Sequence, residues 1–206
     1  MPAIDALRTS LEQSRAMQDH LLAAVGKDFD SAGALCLKAL QDGHKLLLFG
    51  NGGSAADAQH LAAELVGRFS LRRRALPALA LTVNTSTLTA VANDFGFEEV
   101  FARQVEALGQ PGDVAIALST SGDSPNILAG LQAARGRGLV CIGLTGEGGG
   151  QLKTLVDVLL AVPSRHVPRV QEAHILLGHA LCAALETALF GGAPAATAES
   201  GFTPAR

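Results

Sequence analysis

The chain has 206 residues, 48% of them hydrophobic and 17% charged, which describes one globular domain with a sizeable core rather than a disordered segment. Trp and Tyr are absent and Phe numbers only 8, so stacking on nucleobases is excluded as a main binding mode. The formal net charge of −3 likewise argues against a general nucleic-acid binder.

Residues 4–25 place Ile4, Leu7, Leu11, Met17, Leu21, Leu22 and Val25 at helical spacing, and a second helix is predicted over 30–41 with Leu35, Leu37 and Leu40. These helices precede any strand, so they pack on the outside of a sheet or against another subunit. Five short apolar runs then read as buried strands, at 45–49, 78–83, 113–118, 139–144 and 157–161. Helices alternate with them at 54–67, 86–92, 97–108, 124–136 and 149–155, and a long, largely apolar helix comes last at 168–189. Strands alternating with helices imply right-handed crossovers and a five-stranded parallel sheet covered on both faces, a three-layer αβα sandwich. Residues 1–42 and 43–190 belong to one domain in this reading, and the small polar residues of 191–206 form a mobile tail. No apolar run is read as a membrane span, and the opening Met1-Pro-Ala-Ile-Asp-Ala-Leu-Arg8 is not a signal peptide. Cys36, Cys141 and Cys182 lack metal-type spacing and read as buried, reduced thiols of a cytoplasmic protein.

In a parallel sheet, ligands sit beyond the carboxyl ends of the strands, so the loop after each strand is informative. The first strand runs into Gly50-Asn-Gly-Gly-Ser54, with Ser54 placed to cap a helix; the second ends at Asn84-Thr-Ser-Thr87. The third leads into Ser119-Thr-Ser-Gly-Asp-Ser124 and the fourth into Thr145-Gly-Glu-Gly-Gly-Gly150. Hydroxyls, glycine N–H groups and helix N-termini gathered at one edge can hold a phosphate without a lysine. Gly50, Gly52 and Ala55 also satisfy Gly-x-Gly-x-x-Ala, but no acidic residue stands after the second strand to hold a ribose, so a nucleotide cofactor is not supported. The Gly-x-Ser-x-Gly elbow of serine hydrolases is not matched by Gly52-Gly-Ser-Ala-Ala56 either.

His60 and Glu64 are four residues apart and share a helix face, a pair suited to metal ligation or to acid–base work. The last helix interrupts its apolar surface with Gln171, Glu172, His174 and His179, groups that are costly to bury without partners. At 100° per residue Gln171 and His179 lie about 80° apart while Glu172 and His179 nearly align, and spacing alone leaves Gln171 and Glu172 both open. His174 points elsewhere and reads as a structural or interface histidine. Asn93-Asp94 is a helix-ending turn or part of a site, and Arg72-Arg-Arg74 is a solvated turn or a contact with an anionic ligand or subunit.

Taken together, Gly50-Asn-Gly-Gly-Ser54, His60-x-x-x-Glu64, Asn93-Asp-Phe-Gly-Phe97, Ser119-Thr-Ser-Gly122, Leu144-Thr-Gly146 and Arg169-Val-Gln-Glu-x-His174 resemble the sugar isomerase (SIS) domain family, and within it the phosphoheptose isomerases. The resemblance runs from the first helix to about Phe190. It implies a SIS, flavodoxin-like fold, a homotetramer packed through the N-terminal helices, and one zinc ion per subunit. The implied reaction is the aldose–ketose isomerisation of D-sedoheptulose 7-phosphate to D-glycero-D-manno-heptose 7-phosphate, the entry to heptose for bacterial lipopolysaccharide and other surface glycans. Carried over position by position, the zinc ligands are His60, Glu64, Gln171 and His179, which assigns Gln171 where spacing left two choices. Substrate contacts fall on Asn51, Gly52, Gly53, Glu64, Asn93, Asp94, Ser119, Thr120, Ser121, Ser124 and Gln171. Glu64 is expected to shuttle the carbon-bound proton and His179 to serve as acid–base group. Asp123 stands where the family usually has Asn, so its charge must turn away from the phosphate; Pro168 replaces a frequent Asp.

Two other classes share this fold. One is a non-enzymatic tetramer that binds the replication initiator DnaA and lacks the acidic residue and histidine at the positions of Glu64 and His179; this chain has both. The other is a SIS sensor of sugar phosphates, usually joined to a DNA-binding domain, for which only two helices are expected before residue 45.

Overall fold

The apolar runs form strands β1 (Leu46–Gly50), β2 (Ala78–Ala80), β3 (Val114–Ser119), β4 (Val140–Thr145) and β5 (Val158–Ala161) in a computed structural model that describes residues 2–191. All neighbouring pairs are parallel, in the order β2-β1-β3-β4-β5. Helices α1 (Ala3–Gln41), α2 (Gly53–Val66), α3 (Thr85–Asp94), α4 (Ala102–Leu108), α5 (Pro125–Gly136) and α6 (Val167–Phe190) complete the three layers. Alternate strand residues face opposite layers, as a period of two requires. Leu46, Leu48, Ile116, Leu118, Ile142, Leu144 and Leu160 join a core with α1, α2 and α6. Leu47, Phe49, Ala115, Ala117 and Cys141 join a second core with α4 and α5. Each fully buried leucine contributes about 2 kcal/mol, which is why strands buried on both faces read as continuous apolar runs.

The strand order places a switch of direction between β1 and β3: the chain leaves β1 for β2 on one side and then returns to β3 on the other. Gly50 is in register with Leu118, so the loops after β1 and β3 emerge side by side at that crevice. This is where an open parallel sheet binds ligands.

Several local expectations are corrected. The two N-terminal helices are one helix of 39 residues. Gly26 and the two aspartates near it weaken helix propensity by about 1 kcal/mol at the glycine, yet the buried stripe Met17, Leu21, Val25, Ala32, Cys36 and Leu40 continues through them, and packing on α6 and β5 carries the helix across. Ser54 does not cap α2. The N-cap is Gly52, at φ 57°, a left-handed conformation that favours glycine, and Ser54 is buried within the first turn. β2 ends at Ala80 rather than 83, because Leu81–Thr82 turn toward Asn84, whose side chain caps α3 by accepting from the Thr87 N–H. The helix expected at 97–108 is a 3₁₀ turn, Phe97–Glu99, succeeded by α4. That expected at 149–155 is only a 3₁₀ turn, Leu152–Thr154, since Gly148, Gly149 and Gly150 all take positive φ. Apart from Gly191, the expected tail at 191–206 lies outside the described residues.

Among the described residues one helix, α6, is long and apolar enough by length and composition to cross a membrane, contrary to the expectation that no such segment exists. It packs against α1 and α2 and buries Arg169, His174 and Glu186 along its length, the pattern of a core helix.

Candidate active site

The loop after β1 is shaped by its glycines. At Gly53 a Cβ would collide with the side-chain amide of Gln171 from α6, so the glycine lets the last helix approach the first turn of α2. Asn51 is held by a reciprocal amide pair with Asn126: Asn51 Nδ2 donates to Asn126 Oδ1 at 2.8 Å and Asn126 Nδ2 donates to Asn51 Oδ1 at 2.9 Å. Asn126 lies in the first turn of α5 and is 2% exposed. The pair ties the loop after β1 to the helix beyond the loop after β3.

That second loop, Ser119–Ser124, is tightly folded. Ser119 Oγ accepts from the Gly122 N–H at 3.1 Å and lies 3.5 Å from Ser124 Oγ. Thr120 accepts at its carbonyl from the Gly146 N–H, which packs the glycine loop after β4 beneath it. The carboxylate of Asp123 accepts from the Gln151 N–H at 2.9 Å, which directs it toward the segment after β4. The loop leads into the N-terminus of α5, with Pro125 in the first turn, an arrangement favourable to an anion.

The third component joins α2 to α6. His60 Nε2 lies 3.1 Å from Glu64 Oε1 and 3.2 Å from His179 Nε2. The three ligand atoms are all within 4.8 Å of one another. The two imidazoles meet edge to face, with centroids 4.9 Å apart, and Phe69 leans on His179 at 5.6 Å. Two imidazole nitrogens aimed at each other and at one carboxylate oxygen form a donor set for a divalent cation, and an N,N,O set suits zinc. Gln171 sits by Gly53 at the neighbouring loop.

Among the described residues, Asn93 and Asp94 form no hydrogen bond to this cluster or to either loop. They occupy the exposed end of α3, where Asn93 Nδ2 donates to Asp94 Oδ1 at 2.7 Å. His174 is fully buried, and its Nε2–H donates to the Thr145 carbonyl at 3.2 Å. Burial pushes its pKa down to about 4 against the opposing effect of that bond, consistent with the structural part expected of it. All three cysteines are free and buried, and burial pushes each thiol up to about 12, so none is a nucleophile. The arginine loop is divided: Arg72 and Arg74 are exposed, whereas the Arg73 side chain is buried in an ion pair with Glu186 rather than in a solvated turn.

Sequence reasoning missed Asn126 and Asp57. Asn126 carries no local signal beyond its place in a helix's first turn. Asp57 precedes His60 by three residues on α2; burial raises its pKa, against the pull of His60 and His179, and its Oδ2 is buried without a partner.

Residues 11–146 match the family model described as SIS domain. The chain is 59% identical over 164 residues to the phosphoheptose isomerase of Paramagnetospirillum magneticum, spanning 80% of this chain and 85% of that one. The structure of phosphoheptose isomerase from Neisseria gonorrhoeae aligns with TM-score 0.86 at 41% identity, over 90% of this chain and all of that one. That of a phosphoheptose isomerase from Francisella tularensis aligns with TM-score 0.88 at 36% identity, over 91% and 100%. A family match over residues 11–146 and 59% identity to a relative over most of both chains mean that the chain belongs to the SIS domain family.

Proposed function

We propose that this chain is an aldose–ketose isomerase converting D-sedoheptulose 7-phosphate to D-glycero-D-manno-heptose 7-phosphate. The observation that carries the reading is the meeting of His60, Glu64 and His179 between α2 and α6 in a chain 59% identical to a phosphoheptose isomerase. The Ser119–Ser124 loop, with Ser119, Thr120, Ser121 and Ser124, is assigned the phosphate, and Asn51, Gly52 and Gly53 the sugar end. Asn93 and Asp94 are assigned to substrate as well, on the resemblance alone.

The reaction moves a carbonyl from C2 to C1. A base must take a proton from C1 and return it to C2, while a proton passes between the two oxygens of the enediol intermediate. Glu64 is the base: one carboxylate oxygen faces His60, and the other is available for the carbon-bound proton. His179 is assigned the exchange of the oxygen-bound proton. His60, Glu64, Gln171 and His179 would hold a zinc ion, which when bound supplies a Lewis acid for the carbonyl and the developing enediolate.

A homotetramer in the cytoplasm, supplying heptose for surface glycans, completes the reading. Ile4, Leu7, Leu11 and Leu22 of α1 are about half or more exposed, and an apolar groove of about 440 Å³ runs between α1 and α6 past Leu22, Phe29 and Leu176. Apolar surface of this kind is what subunit packing covers. The initiator-binding alternative is not supported, since the curated relatives are isomerases and the acid and histidine it lacks are both in the cluster. The test is to incubate purified protein with sedoheptulose 7-phosphate, with and without chelator. Aldoheptose phosphate is expected, reduced by chelation; no product in either condition would overturn the proposal.

A further inference from the structure

The two halves of the cluster come from different helices, so something must hold α2 and α6 in a set relation. Glu186 stands seven residues after His179 on α6, two turns along and within about 20° of the same face. It is 2% exposed. Its Oε1 accepts from the Phe69 N–H at 3.1 Å and from Arg73 Nε at 2.9 Å, and its Oε2 accepts from the Ser70 and Leu71 N–H groups, both at 2.7 Å. One carboxylate thus gathers three consecutive backbone donors of the loop after α2, a nest for an anion.

The Arg73 side chain, also 2% exposed, faces the opposite way. Its Nη2 donates to the carbonyl of Glu64 itself at 2.9 Å, and its Nη1 donates to the carbonyls of Leu65 at 2.7 Å, Gly67 at 3.3 Å and Arg74 at 3.0 Å. Carbonyls of a last helical turn lack intrahelical partners, and here one guanidinium takes up those of the turn that carries Glu64. The loop so fixed delivers the Phe69 ring to His179, at 5.6 Å between centroids. Burying two ions is expensive, and an apolar pair of the same shape often serves stability as well. An apolar pair could not tie the end of α2, the loop and α6 together through hydrogen bonds at so many points.

We infer that Arg73 and Glu186 are positioning residues of the site: their buried ion pair sets His179, braced by Phe69, against His60 and Glu64. The inference rests on reading these three as a metal-binding cluster. Neither residue touches the cluster's ligand atoms, so they act through the geometry of α2, α6 and Phe69.

The test uses cobalt(II) as the probe, monitored by its visible absorption, with turnover measured in parallel on the full chain. Arg73→Lys keeps the charge but loses the planar fork, and Phe69→Ala removes the brace while leaving both charges paired. Each is expected to bind cobalt about tenfold more weakly, in the range seen when partners of metal ligands are removed. Each should also have an altered cobalt spectrum and a lower kcat at nearly unchanged KM. Asp113→Asn is the control. It breaks another buried carboxylate's pairing, with Lys45 at the opposite end of the sheet, and is expected to lower Tm while leaving the cobalt affinity and spectrum unchanged. Wild-type cobalt affinity and spectrum in folded Phe69→Ala and Arg73→Lys, with only Tm reduced, would overturn the inference. If Arg73→Lys fails to fold, Phe69→Ala decides alone. A wild-type chain that binds no cobalt overturns the metal reading of the cluster and this inference with it, a result distinct from equal binding by wild type and variants.

Discussion

Glu64 has two tasks in the proposed chemistry, and its geometry allows both: it is half-buried, on α2, with Oε1 3.1 Å from His60 Nε2. Replacing it with Gln removes the base but keeps the shape. Turnover is expected to fall by about 10²–10⁴-fold, the usual contribution of a positioned general base, with an unchanged circular dichroism spectrum; retained activity would sink the assignment. Asn126 has a quieter part. Its reciprocal pair with Asn51 spans 75 residues of sequence and joins the loop after β1 to the helix beyond the loop after β3. Asn126→Asp loses the donor half of that pair and brings a negative charge toward the Ser119–Ser124 loop, to which the proposal assigns the phosphate. Losing one hydrogen bond of about 1 kcal/mol or more predicts a KM for the sugar phosphate raised by about tenfold, measured by steady-state kinetics.

At the scale of elements, α6 carries most of what holds the site, and His174 pins it to β4 through the Thr145 carbonyl. The ring is buried and neutral, with a folded pKa of about 4 against an ordinary 6.5. An unfolded chain therefore takes up a proton that the folded chain refuses between those values. The resulting stability is full above pH 6.5 and is lost as pH falls toward 4, by about 3 kcal/mol in all. Urea midpoints measured from neutral pH to about pH 4.5 should show this slope, and His174→Gln, which keeps a donor for Thr145, should flatten it. Glu186 adds its own loss only further down. Burial raises its pKa, but the N–H groups of Leu71, Ser70 and Phe69 and the Arg73 guanidinium outweigh that and hold it below the ordinary carboxylate range.

The whole molecule leaves an apolar ridge on α1, where Leu22 is 80% exposed beside the groove against α6. A charge placed there would have to be desolvated on subunit packing. If the proposed tetramer forms through this ridge, Leu22→Arg is expected to shift the protein to smaller species in analytical ultracentrifugation while each chain stays folded. A wild-type monomer under the same conditions would refute the assembly.

The architecture was legible in the sequence because its signals are local. Buried strands read as apolar runs, and glycines and hydroxyls cluster in the loops at the carboxyl ends of the strands. The shared face of His60 and Glu64 comes from helical geometry alone. What only the tertiary structure decided are the pairings between distant segments. His60 meets His179 across 119 residues, a grouping that the family resemblance implied but spacing did not, and Arg73 sits in a run of three arginines that look alike until Glu186, 113 residues later, buries one of them. Helix α1 runs through Gly26 because its stripe finds α6 and β5, a contact its own residues do not announce. Periodicity records which face of an element is buried, since neighbours along the chain share that face. The partner waiting on the other side is set by how the layers pack, and that is why spacing exposed only the His60–Glu64 pair on one helix, while Gln171 and His179 were named by the family resemblance alone.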